Sequence, residues 1–373
     1  MHLARAAYRR AASGLATIPA LARDLREIRR LVGDPALSLP YYPDEPRKTR
    51  ARMLADLLLW RVGRGEVNRY YFCWGMDRVD GPRARDLLSY RQFTRLRDRR
   101  NARGGPGWLD YTAMVRDKYL FSILLEGLGY PSPPLVALTG PGEIEWLGPR
   151  RQRAPLASLL EVPGGVDVFC KPRFGMQGTG VFRLQVCDGR AHADGLPTTI
   201  DDLTTRMGHC VLQRPVVQHP VMAELHPSSV NTLRVITVRD REGPRAFSRP
   251  LARIGFGGSV VDNGNAGGIQ VFVDPGTGRM VGPGLMLRGG VVTHHPDSGI
   301  ALDGFEIPHY ERAIELAVRL HGELPGLHSI GWDLAMTDDG PVFIEGNDNW
   351  AAGLRLGLEP GFREEFKRLC SRR

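Results

Sequence analysis

Three residues near the C-terminus have the types and spacing to hold a hard cation. Asp333 lies in Ile330-Gly-Trp-Asp333-Leu-Ala-Met336, and Glu345 and Asn347 lie in Val342-Phe-Ile-Glu345-Gly-Asn347. The stretch Thr337-Asp338-Asp339-Gly340 between them reads as a hairpin turn, with both aspartates serving the turn. Period-two geometry puts Glu345 and Asn347 on one face of the returning strand, and Asp333 on the partner strand can face them. Isolated carboxylates among apolar neighbours are costly to bury. Two carboxylates and one amide oxygen make an oxygen-only set of the kind Mg²⁺ prefers, with waters retained and phosphates bridged. A hydrogen-bonded polar pair in a sheet is the plainer alternative.

A second set could meet phosphate. Val168-Phe-Cys-Lys171-Pro-Arg-Phe-Gly175-Met-Gln177-Gly178-Thr-Gly180-Val-Phe-Arg-Leu-Gln-Val186 reads as strand, glycine loop, strand. Gly175, Gly178 and Gly180 let backbone N–H groups approach phosphate oxygens without obstruction. Lys171 at the base of the loop adds a point charge. The pattern GxxxxGK[ST] is absent, and the dinucleotide pattern GxGxxG needs a helix after it, whereas the residues after Gly180 are strand-like. The pattern predicts a hairpin folding over a nucleotide, against the alternative of an ordinary glycine-rich turn. The chain has 46 arginines and four lysines, Lys48, Lys118, Lys171 and Lys367. In so arginine-rich a chain a lysine beside a glycine loop is suggestive, and Lys118, opening a helix upstream, is the natural second candidate.

Between these sets lie further polar residues among apolar ones. Val230-Asn231-Thr-Leu-Arg234-Val-Ile-Thr-Val238 and Leu251-Ala-Arg253-Ile-Gly255 read as strands, and Val261-Asp-Asn263-Gly-Asn-Ala-Gly267-Gly268 reads as a polar loop. Arginines beside bound nucleotide could hold a γ-phosphate or an acyl phosphate, with surface ion pairs as the alternative. His294-His295 are expected in a solvent loop, because adjacent histidines do not easily face one ion. His219 and Glu224 are weaker candidates near a ribose.

These residues need elements to position them. Asp117-Lys118-Tyr-Leu-Phe-Ser-Ile-Leu-Leu-Glu-Gly127 reads as a helix ending near Gly127 or Gly129, followed by a proline turn and a short strand, Leu135–Leu138. Short strands alternate with turns from Val166 onward, and the helix Tyr310–Gly322 precedes the last hairpin. Upstream, apolar residues recur at helical spacing through Leu3–Leu31 and Met53–Val62. Tyr70-Tyr-Phe-Cys-Trp-Gly75 is expected to be core, and Gly104-Gly-Pro-Gly107 to be a linker. Strands and helices interleave without a long βαβ series, so the expected class is α+β.

Length and composition suit a globular protein of two or three compact units. The net charge is +9, and residues 1–118 carry the surplus, 25 Lys+Arg against 13 Asp+Glu, while the remainder holds 25 against 28. A basic surface can recruit nucleic acid, anionic lipid or an acidic partner, or be a solvated helical face. Five scattered cysteines without a CxxC pair fit free thiols in a reducing compartment rather than zinc or a disulfide framework. No apolar run reaches the ~18 residues of a membrane span. Residues 1–23 carry no Asp or Glu and run into Asp24-Leu-Arg-Glu27, so one basic helix is expected, able to lie on anionic lipid.

Assembled in order, these residues resemble the ATP-grasp superfamily from about residue 112 to the end. Asp117-Lys118 with the helix and proline turn looks like its first nucleotide lysine, and Lys171 with the loop to Gly180 like its second lysine and phosphate-covering loop. Val211-Leu-Gln213-Arg-Pro looks like the adenine hinge. Arg253 with Asn263-x-x-x-Gly267-Gly268 is similar to the ribosomal-protein glutamate ligases, and Asp333, Glu345 and Asn347 match the superfamily's three metal ligands. Gln218-His-Pro220 and His226-Pro-Ser-Ser-Val-Asn231-Thr-Leu-Arg234-Val-Ile-Thr237 look like the sugar-transfer-associated group, described as acting in cell-surface polysaccharide biosynthesis.

The resemblance implies two α+β subdomains clasping ATP, with a mainly helical N-terminal extension. The expected divisions are a basic helical region at 1–105, N-terminal and central subdomains at 106–215, and a C-terminal subdomain with the metal site at 216–373. It implies ATP with Mg²⁺, two ions or Mn²⁺ in their place. ATP falls to Lys118, Lys171, Gly175, Gln177, Gly178, Gly180 and Gln213, and metal to Asp333, Glu345 and Asn347. Catalysis falls to Arg253, Arg234 and Asn263, and substrate to Asn231, Gly267 and Gly268. The expected activity is carboxylate–amine ligation through an acyl phosphate, on small and in some cases sugar-linked substrates. A sugar or small-molecule kinase and a non-catalytic ATP-binding module at a membrane assembly are the alternatives. The expected setting is cytoplasmic, with peripheral membrane contact open to the basic helices and no nucleic-acid partner.

Overall fold

The structure is a computed structural model and describes residues 19–38, 41–102, 109–175, 179–257, 268–286 and 290–371. Its contacts divide the chain into two units. The first comprises the residues up to Leu96, Arg288–Gly290 and Ala352–Arg373, and the second comprises Arg97–Leu287 and Val291–Ala351.

In the first unit, residues 19–33 and Arg50–Arg64 are helical. Thr49 caps the second helix by accepting from the Arg52 N–H, and Gly65 ends it with φ +78°, a left-handed conformation that glycine adopts without a Cβ penalty. The aromatic stretch is core, as its composition predicts: Tyr71, Phe72 and Trp74 are buried. It is built of turns rather than helix. Trp74 donates its Nε1–H to the Gly353 carbonyl at 2.7 Å, and Phe93 packs on Phe366 with centroids 5.0 Å apart. The segment from Ala352 onward thus completes the aromatic core of this unit.

The second unit holds two antiparallel sheets. In the first, eight strands lie in the order Gln152–Pro155, Glu143–Trp146, Leu135–Gly140, Cys210–Gln213, Val166–Pro172, Phe182–Cys187, Arg190–Ala193 and Leu196–Thr198. Val166, Val168 and Cys170 point into a core with Leu203 and Met207, so the alternate residue Lys171 points to the other face. The second sheet runs Met280–Met286, Ile269–Val273, Leu251–Ile254, Thr232–Arg239, Ser329–Thr337 and Gly340–Asn347, with Pro244–Ala246 added beside Thr232–Arg239. Helix Tyr310–Gly322, as predicted, buries Ala313, Leu316, Ala317 and Leu320 in its core.

Helix Lys118–Leu128 serves both sheets. Phe121 and Leu125 bury against the second, with Phe121 stacked on Trp332 at 6.2 Å. Asp117 caps its N-terminus, accepting from Tyr119 and Leu120 N–H, and also receives Arg173 of the first sheet's glycine loop at 2.8 and 2.7 Å. One carboxylate therefore fixes where Lys118 starts and where the loop begins.

Candidate active site

The hairpin Ser329–Thr337/Gly340–Asn347 carries the carboxylates, and its register explains their placement. Asp333 pairs with Glu345, but Leu334 pairs with Phe343, so Ile344 is an extra, bulged residue. Strict alternation would put Phe343 and Glu345 on one face. The bulge lets Phe343 enter the core while Glu345 and Asn347 line a cavity of about 220 Å³. The same cavity is walled by Lys118, Gly175 and Gln213.

Asp333 is buried and faces two arginines. Arg234, its direct partner on the neighbouring strand, donates Nε to Oδ1 at 2.5 Å and Nη2 to Oδ2 at 2.7 Å. Arg253, one strand further and diagonal to Arg234, places Nη1 2.9 Å from Oδ1. Burial pushes the Asp333 carboxyl up, but the two guanidiniums outweigh it and hold the group well below the usual carboxylate range. Glu345 responds in the opposite direction: burial, and then the charge of Asp333, raise it. Asn347 donates to Glu345 Oε1 at 3.0 Å. A buried and a half-buried carboxylate that resist ionising together are a fitting site for a divalent cation, whose charge would relieve both.

The lysines face this group. Lys118 donates its Nζ–H to the Gly175 carbonyl. Burial pushes Lys171 down to about 8 and also lowers Lys118, while the Glu345 carboxylate opposes both shifts. The ends of the glycine loop rest on one ring: a Cβ at Gly175 or at Gly180 would come within 3.0 and 3.1 Å of Pro172 side-chain carbons. Gly180 also needs φ +74°, in the left-handed region. Gln213 is buried in the cavity wall, its amide donating to Ser122 Oγ at 3.1 Å.

Of the predicted site residues, Lys118, Lys171, Gly175, Gln213, Arg234, Arg253, Asp333, Glu345 and Asn347 are gathered around this centre. Gln177, Gly178, Asn263 and Gly267 lie outside the described residues. Gly268 is buried. Asn231 is fully buried, and its amide is spent on protein: Nδ2 donates to the Met222 and His226 carbonyls and to Gln218, and Oδ1 accepts from Gly255 N–H. It ties the Gln218–His226 segment to the Arg253 strand and acts as a brace. His219 caps helix Pro220–Leu225 by accepting from Val221 N–H.

One expectation is overturned. His294 is exposed, but His295 is buried, because it organises its own turn: Nε2 meets the Gly255 carbonyl at 2.8 Å and Nδ1 accepts from Asp297 and Ser298 N–H. His226, His295 and Asp297 bring ligand atoms within 4.8 Å of one another. With both His295 nitrogens engaged, the cluster serves as a turn anchor. A site residue not singled out from sequence is Asp348, which takes Arg116 bidentately at 2.9 and 2.7 Å beside the cavity.

Two sheets joined by a lysine-bearing helix, with Gly175 and a carboxylate–amide set lining one cavity, make up an ATP-grasp fold. The chain belongs to the sugar-transfer associated ATP-grasp family, whose profile matches residues 110–371. Among curated proteins none matches it. Solved structures similar to it include D-alanyl-alanine synthetase A from Vibrio cholerae (TM-score 0.40, 13% identity, 70% of this chain and 64% of that one). Another is the ATP-grasp ligase PsnB bound to its minimal precursor, Mg and ADP (0.37, 16%, 70% and 61%). A third is N5-carboxyaminoimidazole ribonucleotide synthetase from Thermus thermophilus (0.34, 14%, 63% and 45%). The chain thus covers less than two thirds of each of these structures.

Proposed function

We propose that the protein is an ATP- and Mg²⁺-dependent carboxylate–amine ligase, working in cell-surface polysaccharide or related conjugate biosynthesis. The observation that carries the reading is the opposition of Lys118 to Glu345 and Asn347 across one cavity, with Lys171 close enough to feel the Glu345 charge and Asp333 held by two arginines beside it. Asp333, Glu345 and Asn347 would hold the metal, which when bound neutralises phosphate charge. Lys118 and Lys171 bind and orient the phosphates. Gln213 lines the end of the cavity suited to the base. The reaction then needs two displacements. A substrate carboxylate oxygen attacks the γ-phosphorus, and the bond to the β-phosphate oxygen breaks, releasing ADP. An amine attacks the resulting acyl carbon, phosphate leaves, and the amine's proton passes to solvent. Arg234 and Arg253 would stabilise the charge that develops, and most of the acceleration would come from positioning and electrostatics.

The test is product analysis with Mg-ATP and pooled amino acids, amino sugars and carboxy sugars. ADP and phosphate release that requires both an acid and an amine is expected. ADP formed on a hydroxylated acceptor without phosphate release would reassign the site to a kinase. Nucleotide binding without turnover in any pool would favour a binding module.

A further inference from the structure

We propose that the face made by helix 19–33 and helix Arg50–Arg64 docks on an anionic lipid surface, lying along it. The two helices are joined by Arg61, which donates Nε–H to Asp24 Oδ2 at 2.7 Å. The apolar residues flank this pair symmetrically in sequence: Leu21 and Leu25 stand three before and one after Asp24, and Leu58 and Val62 three before and one after Arg61. Leu21 with Leu25, and Leu58 with Val62, are each four residues apart, so each pair lies on one face of its helix. All four are exposed, as is Leu59, and the outermost, Leu59 and Val62, are 70% and 83% exposed. Leu57 and Trp60, on the opposite face of the same helix, are buried in the first unit's core. The helix is therefore apolar on both faces, and among the described residues only one of them enters the core. An exposed stripe of this kind marks a contact surface.

Charge identifies the partner. Within these helices stand eight arginines, at 23, 26, 29, 30, 50, 52, 61 and 64, against three acids, Asp24, Glu27 and Asp56. None of the three acids is exposed, and each is held in an ion pair: Asp24 by Arg61 at 2.7 Å, Glu27 by Arg69 at 2.7 Å, Asp56 by Lys48 at 2.8 Å. The rim of the apolar stripe is formed instead by exposed arginines such as Arg23 and Arg52. Leucine and valine at the centre with arginine around them match the acyl boundary and the phosphates of a headgroup layer. No described helix is long and apolar enough to cross a membrane.

The full chain, sedimented with phosphatidylglycerol-containing vesicles and with phosphatidylcholine vesicles, is the test. Binding to the anionic vesicles, weakened by salt, is expected. Leu59→Glu/Val62→Glu should lower that binding by about tenfold or more, as should Arg23→Glu/Arg52→Glu. Because these side chains face solvent, both variants should keep the wild-type melting temperature and ATP turnover. Failure of the wild type to bind anionic vesicles, or unchanged binding by both variants, overturns the proposal. A wild-type dimer that Leu59→Glu/Val62→Glu dissolves, without vesicle binding, would overturn it too and give the face to a second copy of the chain.

Discussion

Asp333 and Glu345 are neighbours in one site, yet they should fail in opposite ways when replaced. Asp333 is shared by the two arginines, so Asp333→Ala removes the carboxylate that both Arg234 and Arg253 meet in a mostly buried setting. We expect it to destabilise the protein by roughly 3–5 kcal/mol, as removal of one partner from a buried ion pair does. Glu345 is raised by burial and by Asp333, so its folded form holds a proton more tightly than the unfolded chain does. Its stabilising share is present at low pH and is lost as pH rises through the raised value. Glu345→Gln keeps a hydrogen-bonding amide there and removes that loss. It should therefore leave the metal-free protein at least as stable as wild type at neutral pH, while abolishing turnover. Thermal melts of both variants without Mg²⁺, paired with an ADP-release assay, check this. A Glu345→Gln variant that melts well below wild type contradicts it. Lys171 gives the pH counterpart. Burial lowers it to about 8, and bound phosphate favours its charged form. ATP binding near pH 8.5 should take up a proton, and affinity should fall as pH rises above 8. Calorimetry in buffers of different ionisation enthalpy reads the uptake, and Lys171→Met should abolish it. At this scale the sequence was informative about residue types: carboxylates, lysines and arginines named from spacing do converge. It was not informative about what Arg234 and Arg253 touch, because their pairing with Asp333 depends on registers between strands about 100 residues apart. Asn231 reads as a site residue for the same reason, since a fully satisfied amide looks like any other polar residue among apolar ones.

The element that matters most is the bulged strand Gly340–Asn347. Ile344 is extra, so Phe343 enters the core while Glu345 and Asn347 line the cavity, and Gly346 between them is buried against Trp332. A Cβ at Gly346 would meet Trp332 Cζ3 at 2.8 Å and Val115 Cγ1 at 3.3 Å. The Trp332 ring cannot easily retreat. It is fully buried, and its Nε1 donates to Thr237 Oγ1 at 2.8 Å. Gly346→Ala should cost roughly 1–3 kcal/mol by overpacking and weaken ATP binding, because the strand must shift where Glu345 and Asn347 sit. Gly127 supplies the contrast. It lies in helix Lys118–Leu128 with nothing within 4 Å of an added Cβ, so Gly127→Ala should stabilise by about 0.5–1 kcal/mol. Denaturant melts of the two variants should diverge in sign, and a neutral Gly346→Ala would show that the strand tolerates the shift. The hairpin, its turn and the facing of Asp333 with Glu345 follow from period-two reasoning and are found. The bulge does not follow, because alternation read along Phe343-Ile344-Glu345 gives no sign of which residue drops out of register. Tertiary packing decides it: Phe343 gains more from the core, and the carboxylate from the polar face.

At the scale of the whole molecule, the chain's last segment belongs with its first. Phe362 and Phe366 pack around Phe93, Gly353 lies close enough to Tyr70 that a Cβ would come within 2.3 Å of its hydroxyl, and Trp74 is bonded to the Gly353 carbonyl. The helical spacing of residues 50–64 and the buried aromatics at 70–75 were readable from sequence. Their partner was not, since no local pattern links them to a segment some 280 positions away. Such long-range contacts make a cooperative unit. Phe366 is fully buried, so Phe366→Ala should cost roughly 3–5 kcal/mol. That loss should fall on one unit. Hydrogen exchange should accelerate together in residues 41–96 and 352–371, although they are distant in sequence. The strands Thr232–Arg239 and Ser329–Thr337, which bury their own core in the second unit, should keep their protection. If only the helix Phe362–Ser371 lost protection, the C-terminal segment would be a peripheral addition. If both units lost it equally, the chain would unfold as one body, and the division by contacts would have no thermodynamic counterpart.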